Sequence, residues 1–267
     1  MLRKIINLLI NINFFFYINY LSELAYKILS LKKYIEFKKS NSFQKVKNYI
    51  KKPIVMSGPF KGLNYKGISS YGSTLYPKLI GSYECELHGV IKDIIKYKYE
   101  RIIDIGSAEG YYAVGIPYAM KNYNLEIVAV ETSKIAIENL KRLVSNNINN
   151  TIKVFSSFDF NLFKDNKKTL VIMDCEGAEL DYLKRISKKY IMKWNFLIEV
   201  HAHIKRNIIR NVEKIFKERN ILKIRSVDDY HKIEEMSFFF KKNFDDNTKL
   251  LLMSENRRSG MYWLYIK

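Results

Sequence analysis

The stretch IIDIGSAEGYY, residues 102–112, decides the fold: an apolar run ends near Asp104 and passes through Gly106 and Gly110 into a helical pattern. A glycine turn between strand and helix marks the nucleotide site of an open α/β sheet, because bare backbone N–H groups approach a ligand closely there. Dinucleotide turns follow the order G-x-G-x-x-G. Here the order is D-x-G-x-x-x-G, with Asp104 where the first glycine would stand and Glu109 just before Gly110. Taken singly, Asp104 reads as a turn cap and Glu109 as a first-turn acid favoured by the helix dipole. Together, two carboxylates beside a pyrophosphate cost on the order of several kcal/mol in a partly buried site. A phosphate-free cofactor is therefore expected, and S-adenosyl-L-methionine fits, since its sulfonium and α-amino groups are cations. Glu131 closes the run IVAVETS 21 residues after Gly110, where a carboxylate can accept ribose hydroxyls. NAD enzymes also place an acid there, so Glu131 alone does not discriminate.

Outward from this loop, apolar runs suited to buried strands occur at 101–105, 126–131, 152–156, 169–173 and 195–200. Helical patterns fill 109–121, 133–146, 178–190 and 205–219, and an amphipathic helix over 82–97 leads into the first strand. Such alternation predicts a parallel sheet with helices on both faces and ligands beyond the carboxyl ends of the strands. Three β-prone runs, ILKIRSV, EMSFFF and GMYWLYIK, follow without evident helices between them and predict an antiparallel closing hairpin. The expected divisions are a helical extension over 1–52, a flap and helix over 53–98, and a catalytic core over 99–267. PIVMSGPFKGLNYKGISSYGS, residues 53–73, reads as turns and short strands, with GPFKGLNY as a flap on the acceptor side.

The net charge of +19 is unevenly spread. Residues 1–60 hold 11 basic and 2 acidic side chains and residues 184–225 hold 13 and 3, while the remainder balances. A neutral centre between basic segments suits a cofactor core beside a surface that meets an anionic membrane, glycan or nucleic acid; the alternative is solvated lysine on helix faces. Two cysteines, Cys85 and Cys175, give no disulfide framework and no zinc knuckle, which fits a reducing cytoplasm. From Ile5 to Ser22 no residue is charged, but Asn7, Asn11, Asn13 and Asn19 interrupt the run. A packed helix is preferred to peripheral membrane contact through residues 1–30, and both to a true span.

Asp104 through Gly110, with VIMDCEGAELDYL at 171–183 and FLIEVHAH at 196–203, resembles the FkbM-like branch of class I S-adenosylmethionine-dependent methyltransferases. The resemblance covers roughly residues 75–267, and DCEGAELDYL is its most specific part; SENRRSGMYWLYIK is similar to that branch's final hairpin. One departure is Ala108, where the commonest loop carries a middle glycine. The resemblance implies a Rossmann-like seven-stranded sheet, mostly parallel with an antiparallel last strand, and O-methylation of a hydroxyl, often on a sugar or polyketide. It also implies a segment closing over the cofactor, which makes Tyr83 and Glu86 candidates for contacts near the methionine end. Cofactor contacts are expected from Asp104, Gly106, Ser107, Ala108, Glu109, Gly110, Glu131 and Thr132.

The fourth and fifth strand ends carry the candidate chemistry. Asp174 and Glu176 project to one side by strand alternation, Cys175 points away as a buried small hydrophobe, and Glu199 and His201 share a face of the neighbouring run. If the two strands adjoin, all four converge. His201 or Asp174 would then take the acceptor's hydroxyl proton. A divalent metal at Asp174, Glu199 and His201 is the less favoured alternative, and Glu179 reads as an ordinary first-turn acid. The acceptor expected is hydroxylated, such as a lipid-linked or anionic glycan at the inner face of the membrane. An NAD-dependent oxidoreductase, an RNA methyltransferase and a non-catalytic cofactor-binding protein are the alternatives. Nucleic acid is less favoured, because no added recognition module is recognisable and DCEG lacks the Pro-Pro-aromatic run of amino-group methylases.

Overall fold

The computed structural model describes residues 39–121, 124–160, 163, 165–202, 207–235, 244–255 and 261–267. The apolar run at 5–22, His203 and most of EMSFFF lie outside them. The chain divides into two compact units, residues 1–49 and 50–267; the first contributes helix α1, Asn41–Tyr49. Among the described residues no helix is long and apolar enough to cross a membrane.

Residues 50–267 carry seven strands: β1 Arg101–Ile105, β2 Glu126–Val130, β3 Ile152–Phe155, β4 Thr169–Met173, β5 Asn195–Val200, β6 Ile221–Arg225 and β7 Tyr262–Ile266. They form one sheet in the order β3-β2-β1-β4-β5-β7-β6. Strands β1 to β5 pair in parallel, and β7 lies antiparallel between β5 and β6. This is the Rossmann-like, mostly parallel sheet expected from the strand–helix alternation. The central strands are buried on both faces, which is why they read as unbroken apolar runs.

Alternate side chains feed two cores. Ile102, Ile127, Leu170, Ile172 and Leu197 face one core, and Ile103, Val128, Val171, Met173 and Ile198 face the other. The first is covered by α3, His88–Tyr97, α4, Tyr111–Met120, and α5, Lys134–Asn147, which follow α2, Leu75–Ile80. The second is covered by α6, Glu179–Leu183, α7, Lys188–Lys193, and α8, Ile208–Ile215.

Four local expectations are corrected. The helix expected over 82–97 begins as a 3-10 turn at Cys85–Leu87, because Gly81 caps α2 in the left-handed region and Glu84 follows at φ +46°. The helix expected over 178–190 is two short ones, the second preceded by an N-cap Ser187 in extended backbone. GPFKGLNY is not a flap: Phe60, Leu63 and Tyr65 are buried, and Phe60 packs edge-on against Tyr111 at 5.0 Å. Finally, β6 and β7 are not joined as a hairpin, since α9, Asp229–Glu235, and α10, Asp246–Met253, lie between them.

Candidate active site

The loops after β1, β2 and β4 enclose a cavity of about 350 Å³ at the carboxyl ends of the strands. Gly106 to Ala108, Val130 to Thr132 and Asp174 to Glu176 line it, with Lys78, Tyr83, Tyr111 and Tyr182 closing its sides. Gly106 is required twice over. It sits at φ +80°, and a Cβ there would stand 1.7 Å from the Asp174 carbonyl oxygen, so the β1 turn touches the β4 end backbone to backbone. Ala108 adopts φ +47° without a glycine's freedom. Its N–H donates to Glu131 Oε2 at 2.9 Å, while the N–H groups of Thr132 and Ser133 donate to Glu131 Oε1 at 2.7 and 2.8 Å. Glu131 thus ties the β1 loop to the end of β2, its carboxylate still on the cavity wall.

Asp104 is almost wholly buried, on the cavity, and accepts from the Ala113 N–H at 3.0 Å. Burial pushes its carboxyl up to about 7; the Ala113 N–H opposes this, and the charges of Asp174, Glu131 and Glu109 reinforce it. Ser107 Oγ, also buried, has no hydrogen-bond partner among the described residues.

Glu109 does not reach the cavity. It is fully buried, pairs with Lys78 Nζ, and accepts from Ser70 Oγ and the Tyr71 N–H, both at 3.1 Å. Its charge is already matched, so the expected cofactor contact is replaced by a link that holds the 70–73 segment at the cavity rim. Lys78 also donates to Ser73 Oγ at 2.7 Å and lies 4.6 Å above the Tyr83 ring. Tyr83 lines the cavity as expected, but Glu86, on the 3-10 turn, does not. In a regular helix the two would share a face; left-handed Glu84 between them breaks that relation.

β4 and β5 adjoin, with Met173 level with Ile198, and their ends bring Asp174, Glu176, Glu199 and His201 together. His201 Nε2 stands 3.6 Å from Asp174 Oδ1, 3.5 Å from Glu176 Oε2 and 3.6 Å from Glu199 Oε2. Asp174 and Glu176 face the cavity, whereas buried Glu199 and His201 stand behind them. Strand alternation is not what groups Asp174 with Glu176. β4 has ended at Met173, Glu176 sits at φ +51°, and half-buried Cys175 also lines the cavity.

Glu179 is the residue that sequence reasoning missed. It is fully buried, bonds His201 Nδ1 at 2.7 Å and accepts from the Gly177 N–H at 3.0 Å. Burial alone would lower the His201 pKa, and it is the largest single influence; the Glu179 hydrogen bond and the charges of Asp174, Glu179 and Glu176 outweigh it, so the imidazole is held above its ordinary value. Burial likewise acts to raise Glu179, but His201 and the Gly177 N–H hold it below the usual carboxylate range. Lys78 was also overlooked; a lone lysine within the apolar helix LYPKLI was its signal.

No family model matches the chain, and no curated protein matches its sequence. Among solved structures it is similar to the ribosomal protein L11 methylase of Lactobacillus delbrueckii subsp. bulgaricus, 12% identical over 77% of this chain and 83% of that one, with a TM-score of 0.44. It is similar also to M. jannaschii TYW2 in complex with AdoMet, 11% identical over 68% and 74%, TM-score 0.40. A third is the Pyrococcus abyssi tRNA (uracil-54, C5)-methyltransferase in complex with S-adenosyl-L-homocysteine, 13% identical over 76% of this chain and 42% of that one, TM-score 0.42. Likeness at this level assigns no activity to the present chain.

Proposed function

We propose that the chain is an S-adenosyl-L-methionine-dependent methyltransferase acting on a hydroxyl oxygen of a sugar, glycan or related small molecule in the cytoplasm. The observation that carries this reading is the charge of the cavity: Asp104, Glu131, Asp174 and Glu176 all face it. Lys78, the one lysine on its wall among the described residues, is neutralised by Glu109. Four carboxylates favour a cationic ligand and oppose a pyrophosphate. The sequence points to Asp104 and Glu109 as the acids that repel a dinucleotide; with Glu109 paired, that role falls to Asp104, Glu131, Asp174 and Glu176.

Bound S-adenosylmethionine supplies a methyl group on a sulfonium, an electrophile that needs only an aligned nucleophile. The residues fit its other parts. Glu131 directly follows β2 on the cavity wall and can accept ribose hydroxyls, Gly106 lets the backbone approach, and the buried Ser107 hydroxyl is available to a ligand. Asp174 receives the acceptor's hydroxyl, orients it and draws off its proton, because of the two cluster carboxylates on the cavity it is the more enclosed, Glu176 being largely in solvent, and it lies 3.6 Å from His201. His201, fixed by Glu179, stabilises the charge on Asp174 from behind.

Calorimetric titration of the purified chain with S-adenosylmethionine, S-adenosylhomocysteine and NAD tests the cofactor. Binding of the first two is expected; NAD binding without response to the others would overturn the reading. Asp174→Asn is expected to keep cofactor affinity within about threefold and to lower turnover by roughly 100-fold or more. Full turnover in that variant would remove Asp174 from the chemistry. Methyl labelling of cell extracts identifies the acceptor, and label in RNA would replace the sugar-type acceptor with nucleic acid.

A further inference from the structure

Three carboxylates from two adjacent strand ends surround one ring nitrogen at 3.5 to 3.6 Å. These separations exceed ordinary hydrogen bonds. They suit atoms that share an ion, since bonds of ~2.2 Å place neighbouring ligands ~3.0–3.6 Å apart. Ligand atoms of Asp174, Glu176 and His201 lie within 4.8 Å of one another. A second observation points the same way: Asp174 Oδ1 is fully buried, directed at this cluster, and accepts no hydrogen bond from the described residues. A carboxylate oxygen withdrawn from water without a donor calls for a cation. The imidazole is also prepared for one. Wholly buried Glu179 holds Nδ1 and turns Nε2 toward the three carboxylates, the arrangement in which an outer carboxylate orients a metal-binding histidine.

We propose that Asp174, Glu176 and His201 bind a divalent transition-metal ion, with Glu179 as the positioning residue for the imidazole. A nitrogen ligand among carboxylates selects an ion such as Mn²⁺ over Mg²⁺, which prefers an all-oxygen shell. The sequence alone offered Asp174, Glu199 and His201 as a less favoured set; the left-handed turn at Glu176 brings its carboxylate into the group, and Glu199 stands outside it. Asp174 and Glu176 line the cavity, so the ion's remaining positions open into it. What the ion does there rests on the methyltransferase reading. An acceptor hydroxyl bound to it ionises more readily. The proton passes to the second oxygen of the Asp174 carboxylate, the acceptor oxygen bonds to the methyl carbon, and the bond from that carbon to the sulfonium breaks, leaving a methyl ether and a neutral thioether.

The full chain, stripped with EDTA and desalted, is titrated with MnCl₂ while the paramagnetic resonance signal of free Mn²⁺ is followed; S-adenosylmethionine affinity is measured on the same sample. One ion per chain is expected, with affinity lowered at least about tenfold in Glu176→Gln and in Asp174→Asn. Retained S-adenosylmethionine affinity shows that each variant is folded, and the exposed side chain of Glu176 makes its replacement the safer of the two. No Mn²⁺ uptake at about 1 mM by a wild-type chain that binds S-adenosylmethionine overturns the ion site and leaves the methyltransferase reading standing. Uptake without S-adenosylmethionine affinity does the reverse. Uptake undiminished in both variants places the ion elsewhere and overturns the proposal.

Discussion

Asp104 shows how far a single residue can be understood before and after its surroundings are known. Its place in the glycine turn marks it as a cofactor residue, but only its burial reveals that its carboxyl is pushed up to about 7. If it meets a cationic ligand, binding requires the carboxylate and displaces the proton. Affinity for S-adenosylmethionine is then expected to rise as pH increases toward about 7, by at most about tenfold per pH unit. It should fall again as the ligand's α-amino group loses its proton near pH ~8. Asp104→Asn should flatten the acid limb, and calorimetry between roughly pH 5.5 and 9 checks it. An unchanged acid limb in the variant assigns the titration to another group. Glu109 is the opposite case. Its spacing gave it the same role as Asp104, yet its partners, Lys78, Ser70 and Tyr71, come from a segment more than 30 residues upstream that no local pattern connects to it.

At the scale of elements, the five parallel strands were legible because burial on both faces leaves an apolar run with little ambiguity. Their adjacency was not, although the grouping of the three acids and one histidine at the ends of β4 and β5 depended on it. Boundaries failed where a left-handed residue interrupts helical spacing, as at Glu84, and where a cap restarts a helix, as at Ser187. The contact between the β1 turn and the β4 end is the tightest of these relations. Gly106→Ala places a methyl group against the Asp174 carbonyl and demands φ +80° of a residue with a Cβ. A loss of about 2 kcal/mol or more in urea unfolding is expected, together with lost cofactor affinity, because both strand ends must separate. A variant of wild-type stability would mean that the β4 turn is free to move away.

Across the whole molecule, buried lysine–glutamate pairs join distant parts of the chain to the sheet. Lys78 and Glu109 hold the rim segment, and Lys232 and Glu255 join α9 to the residues just after α10. Glu255 also accepts from the Glu84 N–H at 3.0 Å, and Tyr112, on the cavity wall, bonds Glu84. Replacing Lys232 with Met leaves the Glu255 charge buried, and about 3–5 kcal/mol of stability is expected to be lost, most of it regained when Glu255→Gln is added. Urea midpoints of the single and double variants check this; a loss below about 1 kcal/mol in the single variant would show that the pair is not buried in solution. None of this network was legible, because its ion pairs join residues 31 and 23 apart that share no local pattern, and the bond from the Glu84 N–H to Glu255 spans 171 residues.

The placement of β7 between β5 and β6 has a dynamic consequence. β6 touches the sheet through β7 alone, and its Leu222, Lys223 and Arg225 are exposed. It is the edge at which the sheet should open first, whereas β5 is zipped on both sides. Amide protons of residues 221–225 should therefore exchange with solvent well before those of 196–200. Exchange at equal rates would mean that opening involves the whole sheet. Fraying can thus proceed at β6 while the strand ends that hold Asp174 and His201 stay closed.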